Sequence, residues 1–439
     1  MMGIILIFLQ VGLLWALWHA SVHGTDLLVY RLANPFCWLI GFYALWFLVP
    51  QIFFMAFDGH IIGMERYSTS DLNHIYRETQ VYLVIFLSLL TATAFAFYTK
   101  AGRSTGKDSA SSMLRLSNDL SYDFWLYSFL AIGTAGNIYV ATQNVALFDG
   151  FRSEIIRSTS GKIATTLSYF AAFSFTYLLV RSWPARRYAL ILFITVSFAT
   201  SVILTGARGR LLWPLFIIAI LLACKKEKIN IVRVGLYAFF GLLLLLALDP
   251  FVKIFKFGSD SYVWSLEEFF SPLLHKRNFD GFANFAMIVT HDRILSSPEY
   301  LFTGARDVFM ETYHPRIYSL GIGFGATLPG MLWISGGIYG LVAGTVLFGI
   351  ILGLINLWLR RNRSNLFFWS YLFAMPWLCA IGGNLLESMD KMLAAMAGPV
   401  ILYLAHGGDI PRRTRVRSPS DRRRVGNIVT STSPHGRRR

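Results

Sequence analysis

The sequence predicts an all-α, polytopic transmembrane helix bundle of about 11 spans with one large, partly helical external loop. Three observations carry this. Hydrophobic residues make up 55% of the chain and mean hydropathy is +0.52. Charged residues are 15%, where soluble domains carry roughly a quarter. The charges are also segregated, leaving apolar runs of spanning length between short polar breaks. A hydrocarbon core about 30 Å thick takes about 20 apolar residues in a helix. Backbone groups in lipid must be satisfied within the segment, so these runs are helical. The period-two alternation of an outer-membrane barrel is missing.

The apolar runs cover residues 3–18, 35–57, 80–98, 122–141, 163–180, 188–205, 211–224, 234–252, 328–358, 366–381 and 392–404. No Lys or Arg precedes the first run, so it lacks the basic region of a cleaved signal peptide and reads as a retained anchor. Lys and Arg cluster at 100–115, 181–187, 225–233, 360–363 and from Arg412 onward. Cytoplasmic loops carry such an excess. Placing all five clusters inside puts the N-terminus in the periplasm and the C-terminus in the cytoplasm. The external segments are then 58–79, 142–162, 206–210, 253–327 and 382–391. Residues 1–405 form the membrane domain, and 406–439 form a basic tail of Arg among Pro, Ser and Thr, with the composition of a disordered segment. The net charge of +16 is accounted for by topology and by attraction to anionic head groups. Nucleic acid is not an expected partner, because no folded module accompanies the basic residues.

Several chemistries lose support. Cys37, Cys224 and Cys379 are scattered, giving neither a disulfide framework nor a metal pair. There is no HExxH, no Walker loop and no Asp-x-Asp pair. GIGFGA at 321–326 resembles a dinucleotide fingerprint but has no preceding strand. No metal and no cofactor are expected.

The informative residues are cations on the outer side. Arg152 and Arg157 lie in the segment 142–162. Arg208 and Arg210 lie in the turn GARGR, next to a run that is short for a span. Arginine at that depth is costly and usually faces a cavity or partner, although snorkelling to phosphates also accommodates it. The long segment 253–327 exceeds ordinary loop length. Its Phe269, Leu273, Leu274 and Phe285 suggest amphipathic helices along the interface. Near its end, Arg306, Glu311, His314 and Arg316 precede a Gly-rich stretch. His changes charge near neutral pH, so His314 and Glu311 are candidate bases. The plainer role for His314 is a ring packed against Tyr313 or Tyr318.

Two stretches carry a family resemblance. TGARGRLLWPL resembles the TGxRG-type hairpin of O-antigen polymerases and ligases. HPRIYSLGIGFGATLPGMLWISGGIYGLVAGTVLFGIILG resembles Wzy-type oligosaccharide repeat-unit polymerases, in which an x-P-R element and a Gly-rich loop lead into a helix with a GG-x-x-G start. The matching residues are Pro315, Arg316, Gly325, Gly330, Gly336, Gly337 and Gly340. One departure concerns an Arg-x10-Gly spacing described in both outer loops of some members. Arg293 and Gly304 keep it in the late loop, while Arg152 and Arg157 lead to Ile163 and Ser168.

The resemblance implies a metal-free membrane glycosyltransferase of the bacterial inner membrane. It would polymerise undecaprenyl-diphosphate-linked repeat units for O-antigen, capsule or exopolysaccharide. Donor and acceptor are both lipid-linked glycans, and a chain-length regulator is a further possible partner. Arg208, Arg210, Arg316, Arg306, Arg152 and Arg157 are then candidates for holding the diphosphate, with His314 or Glu311 as base. An O-antigen ligase, a lipid-linked oligosaccharide flippase or another transporter, and a non-catalytic envelope protein remain open alternatives.

Overall fold

The computed structural model describes residues 2–22, 33–56, 69–98, 120–145, 159–182, 187–204, 213–215, 217–218, 220–221, 281–291, 296–315, 327–361, 365–379 and 385–405. Among these, every regular element is helical. In chain order they are α1 (Met2–Val22), α2 (Pro35–Tyr43), a π-helical turn (Ala44–Leu48), α3 (Val49–Ala56), α4 (Thr69–Tyr98), α5 (Leu120–Val145), α6 (Thr159–Ser182) and α7 (Tyr188–Leu204). Then come α8 (Gly281–His291), a 3₁₀ turn (Pro298–Leu301), α9 (Ala305–Tyr313), α10 (Leu328–Arg361), α11 (Asn365–Cys379) and α12 (Leu385–Ala405). The main unit is Met1–Val400. The expected run 234–252 and the tail 406–439 lie outside the described residues.

Six described stretches are long and apolar enough to cross a membrane: Met2–Val22, Pro35–Ile52, Asp71–Phe97, Asp123–Thr142, Thr159–Ser182 and Leu328–Leu359. Helix α4 begins eleven residues before the expected apolar start, because its polar first turns continue the helix beyond the apolar segment. Helix α11 has 15 residues, or about 22 Å at 1.5 Å per residue, which is short of the hydrocarbon core. Its last residue, Cys379, donates from Sγ to the Pro35 carbonyl at 3.8 Å, so α11 ends beside the start of α2. The expected outer end of 366–381 thus meets the expected cytoplasmic start of 35–57.

One group of helices is built on α4. It runs parallel to α10: Tyr82 meets Trp333, Thr93 meets Gly349, and Phe97 meets Gly353. Parallel packing agrees with the charge pattern, which sends both runs across in one direction. A polar clasp joins α1, α2, α3 and α4. Gln10 and Gln51 exchange amide hydrogen bonds at 3.1 Å, the Tyr43 hydroxyl donates to Gln10 Oε1 at 2.8 Å, and Gln80 donates to Gln51 Oε1 at 3.2 Å. All four are buried. Lipid tails give helices no reason to associate through apolar area, so such interhelical bonds and close packing fix the register.

A second group forms around α5 and α6. They run antiparallel, with Gly133 against Ala171 and Gly136 against the Ala164 carbonyl, where a Cβ would come within 2.8 Å. An ion pair at 2.5 Å between Asp123 and Arg181 closes one end. Phe175 stacks on Phe198 of α7 at 4.5 Å, and Asn137 donates to Ser201 at 3.1 Å. Aromatic contacts of Phe173 and Tyr177 with Trp369 and Phe373 attach α11.

Helix α10 is not one rod. Gly336 (φ −174°, ψ 26°) and Gly337 (φ 58°, ψ −142°) break it into Leu328–Ser335 and a long second half. Only glycine adopts the Gly337 conformation readily. Gly340 lies directly against the Leu332 carbonyl, and Gly344 against the Leu332 side chain. The first half is therefore folded tightly onto the second. The expected run 328–358 is longer than a single crossing needs, and this break is how the excess is used.

Helix α8 corrects another expectation. Phe285 was placed on an interfacial amphipathic helix, yet Phe282, Ala283, Phe285, Ala286, Met287 and Ile288 are all buried. The helix is packed among α4, the π-helical turn and α10. Phe282 stacks on Tyr76 at 5.5 Å, and Phe285 meets Trp333 edge-on. A Cβ at Gly281 would fall 2.8 Å from the Trp46 carbonyl. Phe269, Leu273 and Leu274 lie outside the described residues.

Candidate functional site

Three of the sequence-derived site residues are described: Arg306, Glu311 and His314. Arg152, Arg157, Arg208, Arg210 and Arg316 lie outside the described residues. The three share α9 and its cap. Gly304, in a left-handed conformation (φ 80°), starts the helix, and its carbonyl accepts from the Val308 N–H at 2.9 Å. Asp307 in the first turn complements the positive helix end. Ala305, Phe309 and Met310 are buried and anchor the helix, which packs against α10.

His314 is the C-terminal cap. Its N–H donates to the Met310 carbonyl at 2.8 Å, and its φ of −135° ends the helix. Pro315 follows, which disfavours helical dihedrals at the residue before it. The partly buried His314 ring meets Phe309 edge-on, with centroids 5.7 Å apart. Phe309 is thus one packing partner of the ring, and Tyr318, one of the two tyrosines expected there, lies outside the described residues. Glu311 is exposed, as is Asp307 one turn earlier. Glu311 and His314 thus sit together at the helix C-terminus. Arg306 is eight residues back, about 12 Å along the axis, and about 140° around from Glu311. The two candidate bases lie at one end of α9 and Arg306 at the other.

The segment preceding α9 ties it to the broken helix. The Ser297 N–H donates to the Ile334 carbonyl at 3.3 Å. The ordinary helical partner of that carbonyl, the Ile338 N–H, lies across the break. The 3₁₀ turn packs on α10, and the Phe302 carbonyl accepts from the Leu386 N–H at 3.4 Å. Sequence reasoning singled out Gly336, Gly337 and Gly340 but missed their role: they expose a carbonyl that holds the α9 segment in place. The paired glycines within an over-long apolar run were the available signal. Ser297 and Leu386 gave none, because they act through backbone atoms.

Among the described residues no group of three or more His, Cys, Asp or Glu side chains is placed to hold a metal ion. The chemistry available to α9 is a partly buried imidazole, an exposed carboxylate and a guanidinium on a short helix fixed to a membrane bundle. Comparison with known proteins gives no match: no family model, no curated protein and no solved structure matches the chain.

Proposed function

We propose that this chain polymerises undecaprenyl-diphosphate-linked oligosaccharide repeat units at the periplasmic face of the bacterial inner membrane. The supporting observation is the attachment of α9 at the break in α10. The residues of the resembling motif, Gly336, Gly337 and Gly340, make a folded-back membrane helix. The segment leading into the helix that bears Glu311 and is capped by His314 is hydrogen-bonded to that fold through Ser297.

In the proposed reaction a sugar hydroxyl of one lipid-linked unit attacks the anomeric carbon of the glycan on the other lipid diphosphate. The hydroxyl proton passes to a base, His314 or Glu311, within hydrogen-bond reach. The anomeric C–O bond breaks and the lipid diphosphate departs with its electron pair. Guanidinium groups bind phosphate oxygens in bidentate fashion and stabilise the leaving charge. That role falls to Arg208 and Arg210 first, to Arg316 and Arg306 second, and to Arg152 and Arg157 third. In this reading the N-terminus is periplasmic and the basic tail lies against the cytoplasmic leaflet.

A second reading, a lipid-linked oligosaccharide flippase, is favoured by the discontinuous α10, since broken helices also build transporter sites. Deletion of the gene followed by a glycan gel separates the readings. Single repeat units on lipid A–core support polymerase. Unligated polymer identifies a ligase, and loss of all surface glycan a flippase. Within a polymerase, Arg208→Ala and Arg210→Ala shorten chains at normal membrane levels.

A further inference from the structure

Helix α4 is longer than its crossing requires. Its 30 residues extend about 45 Å, of which the apolar part from Gln80 to Tyr98 takes about 28 Å. The turns from Thr69 to Thr79 therefore stand on the outer side in the proposed orientation. Asp71, His74 and Glu78 lie along one stripe of these turns, Tyr82 continues it inward, and Arg77 flanks it. Asp71, His74 and Arg77 are exposed, while Glu78 and Tyr82 are half-buried. The stripe meets the first half of α10. The Tyr82 hydroxyl donates to Glu78 Oε1 at 3.3 Å, and its ring centroid lies 4.6 Å from that of Trp333. Phe285 of α8 holds Trp333 edge-on, yet the indole is only half-buried. The next residue, Ile334, is the one whose carbonyl accepts from Ser297. Two partly exposed rings and a carboxylate thus lie together beside the attachment of the α9 segment, with a guanidinium alongside on α4.

We propose that Glu78, Tyr82 and Trp333 form a subsite for a pyranose ring of a lipid-linked glycan. That the glycan is lipid-linked rests on the proposed function; that the ligand is a sugar rests on the side chains themselves. A pyranose presents C–H bonds on its faces and hydroxyls around its rim. The electron-rich face of an aromatic ring suits the first. A carboxylate accepts from the second in charge-assisted hydrogen bonds, and Arg77 supplies donors to the hydroxyl oxygens. A phosphate would be repelled by Glu78, and an ammonium by Arg77. Trp and Tyr also anchor helices at the head-group level, but anchoring uses no carboxylate bonded to the ring that it adjoins. Glu78 and Trp333 thus become sugar-contacting residues that the sequence did not flag.

The test replaces His74, exposed one turn outward of Glu78, by photoreactive p-benzoylphenylalanine in the full-length protein in its native cells. Irradiation should give an adduct whose mass carries sugar and lipid diphosphate. Its yield should exceed that from the same amino acid at Leu192, which is exposed on α7. Glu78→Gln should lower capture about tenfold, the scale of losing a charge-assisted hydrogen bond. Trp333→Leu should lower it about fivefold, the scale of one aromatic contact. Yields are compared at equal membrane levels, and the near-isosteric Glu78→Gln decides if Trp333→Leu fails to accumulate. Adducts of phospholipid alone overturn the subsite, as does sugar capture that Glu78→Gln leaves unchanged. An adduct with sugar but no lipid diphosphate overturns the lipid-linked assignment. Sugar capture together with an unaltered glycan ladder in the deletion strain upholds the subsite and removes the polymerase reading. Single repeat units in the deletion strain without sugar capture at His74 do the reverse.

Discussion

The Ser297 N–H reaches the Ile334 carbonyl, 37 residues further along the chain, at 3.3 Å. The bond joins a connecting segment to the one place in α10 where the helical ladder is interrupted. Anything that restores the regular helix competes with that bond, and anything that deepens the break depends on it.

The two broken-helix glycines should therefore respond differently. Gly337→Ala places a side chain in a region nearly reserved for glycine (φ 58°, ψ −142°) and should destabilise by about 1–3 kcal/mol. Gly336→Ala should stay within about 0.5 kcal/mol, because its φ of −174° suits any residue and nothing lies within 4 Å of the added Cβ. Thermal unfolding of the purified variants in detergent measures both. Equal effects would mean that the break is not held at Gly337.

Gly340→Ala should be the more damaging close-packing change. Its Cβ meets the Leu332 backbone carbonyl, which cannot rotate away as a side chain could. Overpacking of this kind costs about 1–3 kcal/mol. The same unfolding assay should show a lower midpoint than for Gly41→Ala, whose added Cβ has nothing within 4 Å.

The glutamine clasp predicts non-additivity. Gln51→Leu leaves the Gln10 and Gln80 amides without the partner they share, at about 1–3 kcal/mol for a stranded buried group. Replacing Gln10 and Gln51 together by Leu should cost less than the sum of the single changes. A double-mutant cycle that closes additively would show that the amides act separately.

For α9, Phe309→Ala empties a fully buried site and should cost about 3–5 kcal/mol, lowering protein levels. His314→Ala and Glu311→Gln should leave membrane levels unchanged on an immunoblot while shortening the glycan ladder. Normal chain lengths in both would move the base elsewhere.

Parallel packing of α4 and α10 makes a topological prediction independent of function. Reporter fusions at Lys100, just after α4, and at Arg361, the last residue of α10, should report the same face, and the charge pattern makes it the cytoplasmic one. Opposite reports would be irreconcilable with the contacts of Thr93 and Phe97.

Much of this fold was legible as apolar runs, and the starts at Pro35, Tyr188 and Leu328 match the observed helices. The ends were less legible, since helices such as α4 run on through polar turns that hydropathy treats as loop. Helix α8 escaped because its GFANFAMIVTH is too short to span and is flanked by charge, which read as a surface segment. Burial on every side is a property of its neighbours, not of its own pattern. The candidate site was legible as residue types, but not as geometry: Arg306 and His314 are close in sequence and stand at opposite ends of one helix.

The burial of α8 also constrains how the protein is made. At 11 residues it is about 16 Å long, too short to be held by lipid as a span. Its packing partner α10 is synthesised after it. Helix α8 can dock first on Tyr76 of α4 and on the Trp46 carbonyl of the π-helical turn, but the face that meets Trp333 and Gly330 stays open until α10 has entered the bilayer. Burial of α8 is thus completed by a helix made later in the chain, and a ribosome-bound intermediate truncated before Leu328 should leave α8 more accessible to protease than it is in the full chain.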